Sequence, residues 1–110
     1  MQLPSGNLFS GEATRGDAER VDMLVAGLHL NVERIVSMGH TSPPGFWYDD
    51  SRAEWVVLLS GAAVLEFEED ATLHDMRPGD YVLIGPHCRH RVAWTHAQEQ
   101  TVWLAIYHER

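Results

Sequence analysis

The 110-residue sequence contains no lysine and only one cysteine, Cys88. Without lysine, a Schiff-base mechanism and a lysine-anchored pyridoxal cofactor are excluded. A single cysteine can form neither an internal disulfide nor a multi-cysteine zinc site, and it is typical of a reducing compartment. Basic residues are scarce, and the net charge is -8. Because this charge repels phosphate backbones and anionic lipid surfaces, we expect no nucleic acid and no membrane as a partner.

Long apolar runs are also missing, and none approaches the ~20 residues that span a bilayer. The first twenty residues lack a cationic segment followed by an apolar stretch, so they do not read as a secretory signal. We therefore expect a soluble cytoplasmic protein. The hydrophobic share of 45%, with four tryptophans, is enough for one core, and the length predicts one domain.

The pattern of short apolar runs separated by turn signals predicts an all-β fold. Residues 1–20 are rich in glycine, serine and charge and are predicted to form an N-terminal arm, while residues 21–110 form a single domain. The run "DAERVDMLVAG" could alternatively supply one short helix. The predicted strands cover residues 22–26, 28–38, 54–60, 62–68, 72–76, 80–84, 89–95 and 100–108. Eight strands at this spacing indicate a jelly roll or small barrel built from two antiparallel sheets.

Two polar residues are predicted to point into the core. In "EWVVLL", Glu54 shares a face with Val56 and Leu58. In "HRVAW", His90 shares a face with Val92 and Trp94. A buried glutamate is costly unless it is paired, protonated or bound to a cation. The alternation therefore leaves two possibilities open, a divalent-ion site or a buried hydrogen-bonded pair.

A family resemblance rests on two stretches of the chain. In "EWVVLLSG" six residues separate Glu54 from Gly61, and "PGDYVLIGPHCRH" follows over residues 78–90. These stretches resemble the two motifs of the cupin superfamily, in which two histidines and a glutamate of the first motif and a histidine of the second hold one metal ion. The resemblance covers about residues 40–107. It implies a cupin-type jelly-roll β-barrel, with Glu54 and His90 at ligand positions.

The first motif departs from the cupin pattern, because both of its histidines are missing. Trp47-Tyr48-Asp49 or Tyr48-Asp49-Asp50 stands in their place, depending on the spacing. Asp49 is the preferred replacement ligand. The competing interpretation is an acidic surface turn, "YDDSR", that pairs with Arg52. Trp47 and Tyr48 could line the mouth of the barrel, although aromatic residues at strand ends more often serve packing.

The second motif also departs from the pattern, because Gly85 replaces a proline and His87 replaces a glycine. A site rebuilt from Asp49, Glu54, His87 and His90 would hold a divalent metal ion such as Zn, Fe, Mn or Ni. The other possibility is that the metal has been lost and the cavity is a plain pocket. His87 would depend on the Gly85-Pro86 turn to bring its ring inward.

Three functions are open at this point. The first is a metal-binding cupin with a small-molecule ligand, acting if it is an enzyme on a hydroxy acid, keto acid or sugar as a metal-dependent isomerase, lyase or oxygenase. The second is a metal-free cupin that binds a small ligand without catalysis, and the third is a structural dimer module. The run "GFWYDDSRAEWVVLLSG" resembles a small group of single-domain cupins without an established activity. A homodimer is expected, because the apolar final run "TVWLAIY" and the arm leave surface to cover.

Overall fold

The computed structural model describes residues 3–11 and 18–109, which form eight strands in two antiparallel sheets. The strands are β1 (Arg20–Ala26), β2 (Leu30–Ser37), β3 (Ala53–Ser60), β4 (Ala63–Phe67), β5 (Thr72–Met76), β6 (Tyr81–Ile84), β7 (His90–Thr95) and β8 (Thr101–His108). One sheet has the order β1-β2-β8-β3-β6 and the other the order β5-β4-β7. Each predicted strand is present, with ends shifted by at most two residues. The closure of the two sheets into a barrel stays a prediction.

The short helix considered for "DAERVDMLVAG" is absent from the described part of this run, where residues 20–26 form β1. Val21 of β1 pairs with Ile35 of β2, and Met23 pairs with Glu33. This cross-strand pairing overrides the local helical tendency of the run. Residues 12–17 of the predicted arm lie outside the described residues. No helix that could cross a membrane occurs within residues 3–11 and 18–109.

The hydrophobic core lies between the two sheets. Its buried members come from the inward faces of five strands, and they are Val56, Leu58, Ala63, Leu65, Met76, Ile84, Trp103 and Ala105. Turns bring these strands together. Asp80 N donates to the carbonyl of Arg77 at 2.9 Å, and Gly79 between them has a φ of 95°, as the predicted type II turn at Pro78-Gly79 requires.

Strand β7 contains a bulge that changes the direction of Trp94. Along β4, the adjacent residues Leu65 and Val64 pair with Val92 and Trp94, so the register skips Ala93. His90 and Val92 point inward as predicted. The prediction that Trp94 joins them was wrong, because the skipped residue reverses the alternation, and Trp94 is 44% exposed.

The outer face of the five-stranded sheet carries a row of apolar side chains. Pairing places Leu83 beside Trp55, Trp55 beside Ile106, Ile106 beside Val32, and Val32 beside Val25. Leu83 and Val25 at the ends of the row are exposed, and the other three side chains are half-buried. The final run "TVWLAIY" lies in β8, between β2 and β3, and its Ile106 belongs to this row.

A buried arginine joins the N-terminal segment to this sheet. Arg34 of β2 donates from Nε and Nη2 to Oδ2 of Asp22, at 3.1 and 2.5 Å. Its Nη1 donates to the carbonyl oxygens of Asn7, Leu8 and Ser10. The hydrogen bond from Arg34 holds the pKa of Asp22 below its usual value of 3.8. Residues 7–10 are therefore fastened to the sheet by one side chain.

We expect Arg34→Met to lower the free energy of unfolding by about 2–3 kcal/mol at pH 7, because it removes hydrogen bonds from a buried charged group. Since the folded pKa of Asp22 is lowered, the stability from its pairing is present above pH 3.8 and is lost as the pH falls through the folded pKa. We therefore expect the difference in the free energy of unfolding between wild type and variant, measured by urea unfolding, to be smaller at pH 3 than at pH 7. Arg77→Met, at an exposed arginine, is the control, and an equal loss there would contradict the assignment.

Candidate functional site

A cavity of about 200 Å³, the main cavity, lies between the two sheets. Seven of its lining side chains are apolar, among them Val56, Val92 and Trp103. Its polar lining consists of Glu19, Glu33, Tyr48, Glu54, His90 and Tyr107. A mostly apolar cavity with a few convergent polar groups is the usual form of a small-molecule site.

Glu54 and His90 form a buried pair at the wall of this cavity. Glu54 lies on β3, where it alternates with Val56 and Leu58, and His90 is the first residue of β7. Oε1 of Glu54 lies 3.3 Å from Nε2 of His90. The two residues are only 8% and 6% exposed. The predicted inward direction of both residues is confirmed, and the pair joins one sheet to the other.

The hydrogen bond made by Nδ1 of His90 determines which ring nitrogen faces Glu54. Nδ1 lies 2.9 Å from the carbonyl oxygen of Cys88, and because a carbonyl only accepts, Nδ1 donates. Nε2 is left to face Glu54. Burial lowers the pKa of His90, but the hydrogen bonds to Glu54 and to the Cys88 carbonyl raise it more, so the pKa lies above its usual value of 6.5. The charged imidazolium is thereby favoured.

Tyr48 covers one side of His90. The two rings stack with centroids 5.5 Å apart, and the backbone N–H of Tyr48 donates to the carbonyl of His90 at 2.7 Å. The Tyr48 hydroxyl donates to Oε1 of Glu19 at 3.4 Å. Burial, together with the charge of Glu19, raises the pKa of Tyr48 to about 12. Tyr48 lines the main cavity, whereas Trp47 is not among the lining residues.

The main cavity carries negative charge. Three of its lining residues are glutamates, and no described arginine lines it. Burial, with the nearby charge of Glu54, raises the pKa of Glu33 above its usual value. Arg52 lies outside the cavity, 4.7 Å from the ring centroid of Tyr107, and its Nη2 is bound to Asp50 at 3.0 Å. An anionic ligand would therefore meet repulsion in this cavity.

His87 and Asp49 form a second pair, at the surface. Nδ1 of His87 lies 2.8 Å from Oδ1 of Asp49, and both side chains are exposed. His87 follows the predicted turn at Gly85-Pro86, where Cys88 N donates to the Gly85 carbonyl, and it has a φ of 58°. Neither residue lines the main cavity. The four predicted ligands are thus two separate pairs, and the alternative pairing with Arg52 is made by Asp50.

The described residues supply two of the donors that a cupin metal ion would need. Nε2 of His90 and Oε1 of Glu54 are close enough that both could bind one ion at about 2.0–2.2 Å. Within residues 3–11 and 18–109, however, no group of three or more His, Cys, Asp or Glu side chains could hold a metal ion. This donor set does not fit a centre of three or four protein ligands. Metal binding stays a prediction.

Sequence reasoning missed three polar residues of the cavity. Glu33 alternates with the cavity residue Ile35 along β2, and Tyr107 alternates with Ala105 and Trp103 along β8. The period of two could have identified both. Glu19 precedes β1 and belongs to no strand, so periodicity carries no signal for it.

Comparisons with known proteins agree with this geometry. The family model described as "Cupin domain" matches residues 35–107. A crystal structure from Ralstonia eutropha, of a protein bearing the name "putative mannose-6-phosphate isomerase", is 45% identical, with a TM-score of 0.92 over 98% of this chain and 100% of that chain. A cupin superfamily protein from Desulfitobacterium hafniense is 15% identical, with a TM-score of 0.78 over 100% of this chain and 94% of that chain.

The search among curated proteins found no match for the chain. The family model nevertheless spans most of the sequence and includes both Glu54 and His90. The two-sheet fold, the cavity between the sheets and the match to the family model lead to one conclusion: the chain belongs to the cupin domain family.

Proposed function

We propose that the chain binds a small hydroxyl-bearing molecule of the sugar class, without negative charge, in the main cavity. The observation that carries the proposal is the buried Glu54–His90 pair at a wall whose surroundings are mostly apolar. In the bound state, Nε2 of His90 donates to a ligand oxygen and the Glu54 carboxylate accepts from a ligand hydroxyl. Groups that donate and accept at neighbouring points can also transfer a proton, which is the chemistry of an isomerisation.

The lining of the main cavity supports a sugar in particular. A sugar ring has apolar C–H faces and a polar hydroxyl rim, and aromatic side chains with a polar end suit such a surface. Tyr48, Tyr107 and Trp103 supply aromatic faces beside the carboxylates. The name of the 45% identical Ralstonia protein refers to a sugar phosphate, which supports the sugar but not the phosphate in this cavity. Three glutamates, with no arginine among the described lining residues, favour a neutral sugar.

We expect D-mannose or D-glucose to bind and D-mannose 6-phosphate to bind at least about tenfold more weakly, because the phosphate dianion would approach the cavity carboxylates. Titration calorimetry of the purified protein measures all three affinities. Glu54→Gln should weaken sugar binding about tenfold, because the amide is nearly isosteric but cannot neutralise His90.

The matched control is Glu68→Gln, at a half-exposed glutamate whose partner is Arg89. This variant should bind sugar as the wild type does. No binding of either neutral sugar at millimolar concentration would contradict the proposal, as would tighter binding of the phosphate ester. Equal losses of sugar affinity in the two variants would contradict the role of Glu54 in binding.

A divalent ion held by Glu54 and His90 alone is the second candidate. It is favoured by the hydrogen bond from Nδ1 of His90 to the Cys88 carbonyl, because metal-binding histidines usually donate their other ring N–H in this way. Water or ligand would complete the coordination.

Elemental analysis of protein purified without a metal-affinity tag tests this candidate. We expect Glu54→Gln and His90→Ala each to abolish any bound stoichiometric metal, because they remove the two adjacent donors. His87→Ala should retain the metal, since His87 lies in the separate surface pair. Coupled losses from His87→Ala and His90→Ala would instead support the four-residue site predicted from the sequence. Wild-type protein that contains no stoichiometric metal would contradict this second candidate.

We also propose a homodimer that buries the apolar row on the outer face of the five-stranded sheet. All five strands contribute an apolar residue to this row. In a dimer with a twofold axis, the row of one copy would therefore pack against the same row of the other copy. Two molecules of net charge -8 repel each other, so a contact between copies is favoured where charged side chains are few. We therefore assign this face to a contact with a second copy of the chain.

Sedimentation velocity at micromolar concentration should show a dimer, and Leu83→Glu should convert it to a monomer by placing a charge in the apolar row. Leu73→Glu is the control, because Leu73 of β5 is 62% exposed against 61% for Leu83 and lies on the other sheet. A monomeric wild type, or equal dissociation in the two variants, would reject this interface.

A further inference from the structure

Four of the polar residues that line the main cavity are paired with one another. Glu54 faces His90 at 3.3 Å. The Tyr48 hydroxyl donates to Glu19, which also accepts a hydrogen bond from Oγ of Ser37 at 3.0 Å. A ligand must share these four groups with contacts that the protein already makes.

Glu33 and Tyr107 are the other two polar lining residues, and they have no hydrogen bond or ion pair to the described part of the chain. Both residues are half-buried. Neither the Glu33 carboxylate nor the Tyr107 hydroxyl is among the buried atoms without a partner, so a water-sized group can reach each of them. A ligand can bind these two groups without breaking a contact within the protein.

The five-stranded sheet places Glu33 and Tyr107 next to each other. Glu33 of β2 pairs with Ala105 of β8, so Tyr107, two residues further along β8, is its diagonal neighbour on the same face. On the other side of β8, Tyr107 pairs directly with Glu54. Burial, followed by the charges of Glu54 and Glu33, raises the pKa of Tyr107. Its side chain is therefore a neutral hydroxyl between two carboxylates.

The charge of Glu33 is not offset by a contact with a basic side chain. Arg52 lies outside the cavity against the Tyr107 ring. Burial and the charge of Glu54 raise the pKa of Glu33, and each acts more strongly than Arg52, which lowers it. A neutral sugar avoids the repulsion that an anion would meet here, whereas a sugar with a positive charge would be attracted.

We propose that the ligand of the main cavity is an amino sugar, and that its ammonium group donates to the Glu33 carboxylate and to the Tyr107 hydroxyl oxygen. This inference rests on the proposed function and specifies the class of sugar. An ammonium group has three N–H donors and no acceptor, so it is complementary to two unpaired oxygens of which one is charged. The hydroxyl groups of the sugar remain for Glu54 and His90.

The test is titration calorimetry of the full chain at pH 6.5, where a sugar amine is an ammonium ion. We expect the wild type to bind D-glucosamine about tenfold more tightly than D-glucose, because a charge-assisted hydrogen bond replaces a neutral one. N-acetyl-D-glucosamine, whose amide is uncharged, should lack this gain. Glu33→Gln should abolish the gain, since an amide oxygen accepts a hydrogen bond but carries no charge. Tyr107→Phe should reduce it to about threefold by removing one acceptor.

The measured quantity is the ratio of two affinities within each variant, so a general loss of binding does not imitate the expected result. Glu66→Gln is the matched control. Glu66 also lies in a strand and is half-buried, but it is bound to Arg91 and does not line the main cavity. This control should keep the tenfold preference for D-glucosamine.

Three results would overturn the amino-sugar assignment while D-glucose binding stands. They are equal affinities of the wild type for D-glucose and D-glucosamine, an equal gain with N-acetyl-D-glucosamine, and a full gain that persists in Glu33→Gln or Tyr107→Phe. If none of the sugars binds, the proposed function fails, and the amino-sugar assignment fails with it.

Discussion

The buried contact between Glu54 and His90 is the constraint around which the site is arranged. Each residue is over nine-tenths buried, and they come from opposite sheets. Neither group could remain there alone, because a buried charge without a partner costs several kcal/mol. The Cys88 carbonyl orients the imidazole, and Tyr48 stacks against it. The pair thus connects the two sheets at the wall of the cavity.

The electrostatics of the cavity follow from the composition as well as from the fold. A chain without lysine has only arginine for permanent positive charge, and the structure places five of the described arginines in pairs elsewhere. Arg20 and Arg34 contact Asp22, Arg52 contacts Asp50, Arg89 contacts Glu68 and Arg91 contacts Glu66. Among the described residues that line the cavity, His90 is the basic side chain beside the carboxylates.

Alternation along the strands predicted most of the fold and the inward direction of two of the four candidate ligands. The period of two identified the eight strands and the inward direction of Glu54 and His90, because each lies within a regular strand among apolar neighbours. Local pattern could not decide on which side of the chain the His87 ring would lie. The positive φ at His87, in the turn after β6, places the ring beside Asp49 at the surface. The direction of the His87 ring depends on the turn conformation and on Asp49, which is distant in the sequence. Residue spacing alone predicts neither.

The bulge at Ala93 divides β7 into two parts whose side chains have different surroundings. Before it, His90 and Val92 line the cavity, and after it Trp94 lies at the surface while Thr95 is buried and donates to the His40 carbonyl. Inserting or deleting one residue within a regular strand moves every later side chain to the other face. Here the bulge introduces that shift, so the first part of the strand faces the cavity and the second contacts the loop that contains His40. A substitution at Trp94 would therefore alter the surface of the protein without placing a new side chain in the cavity.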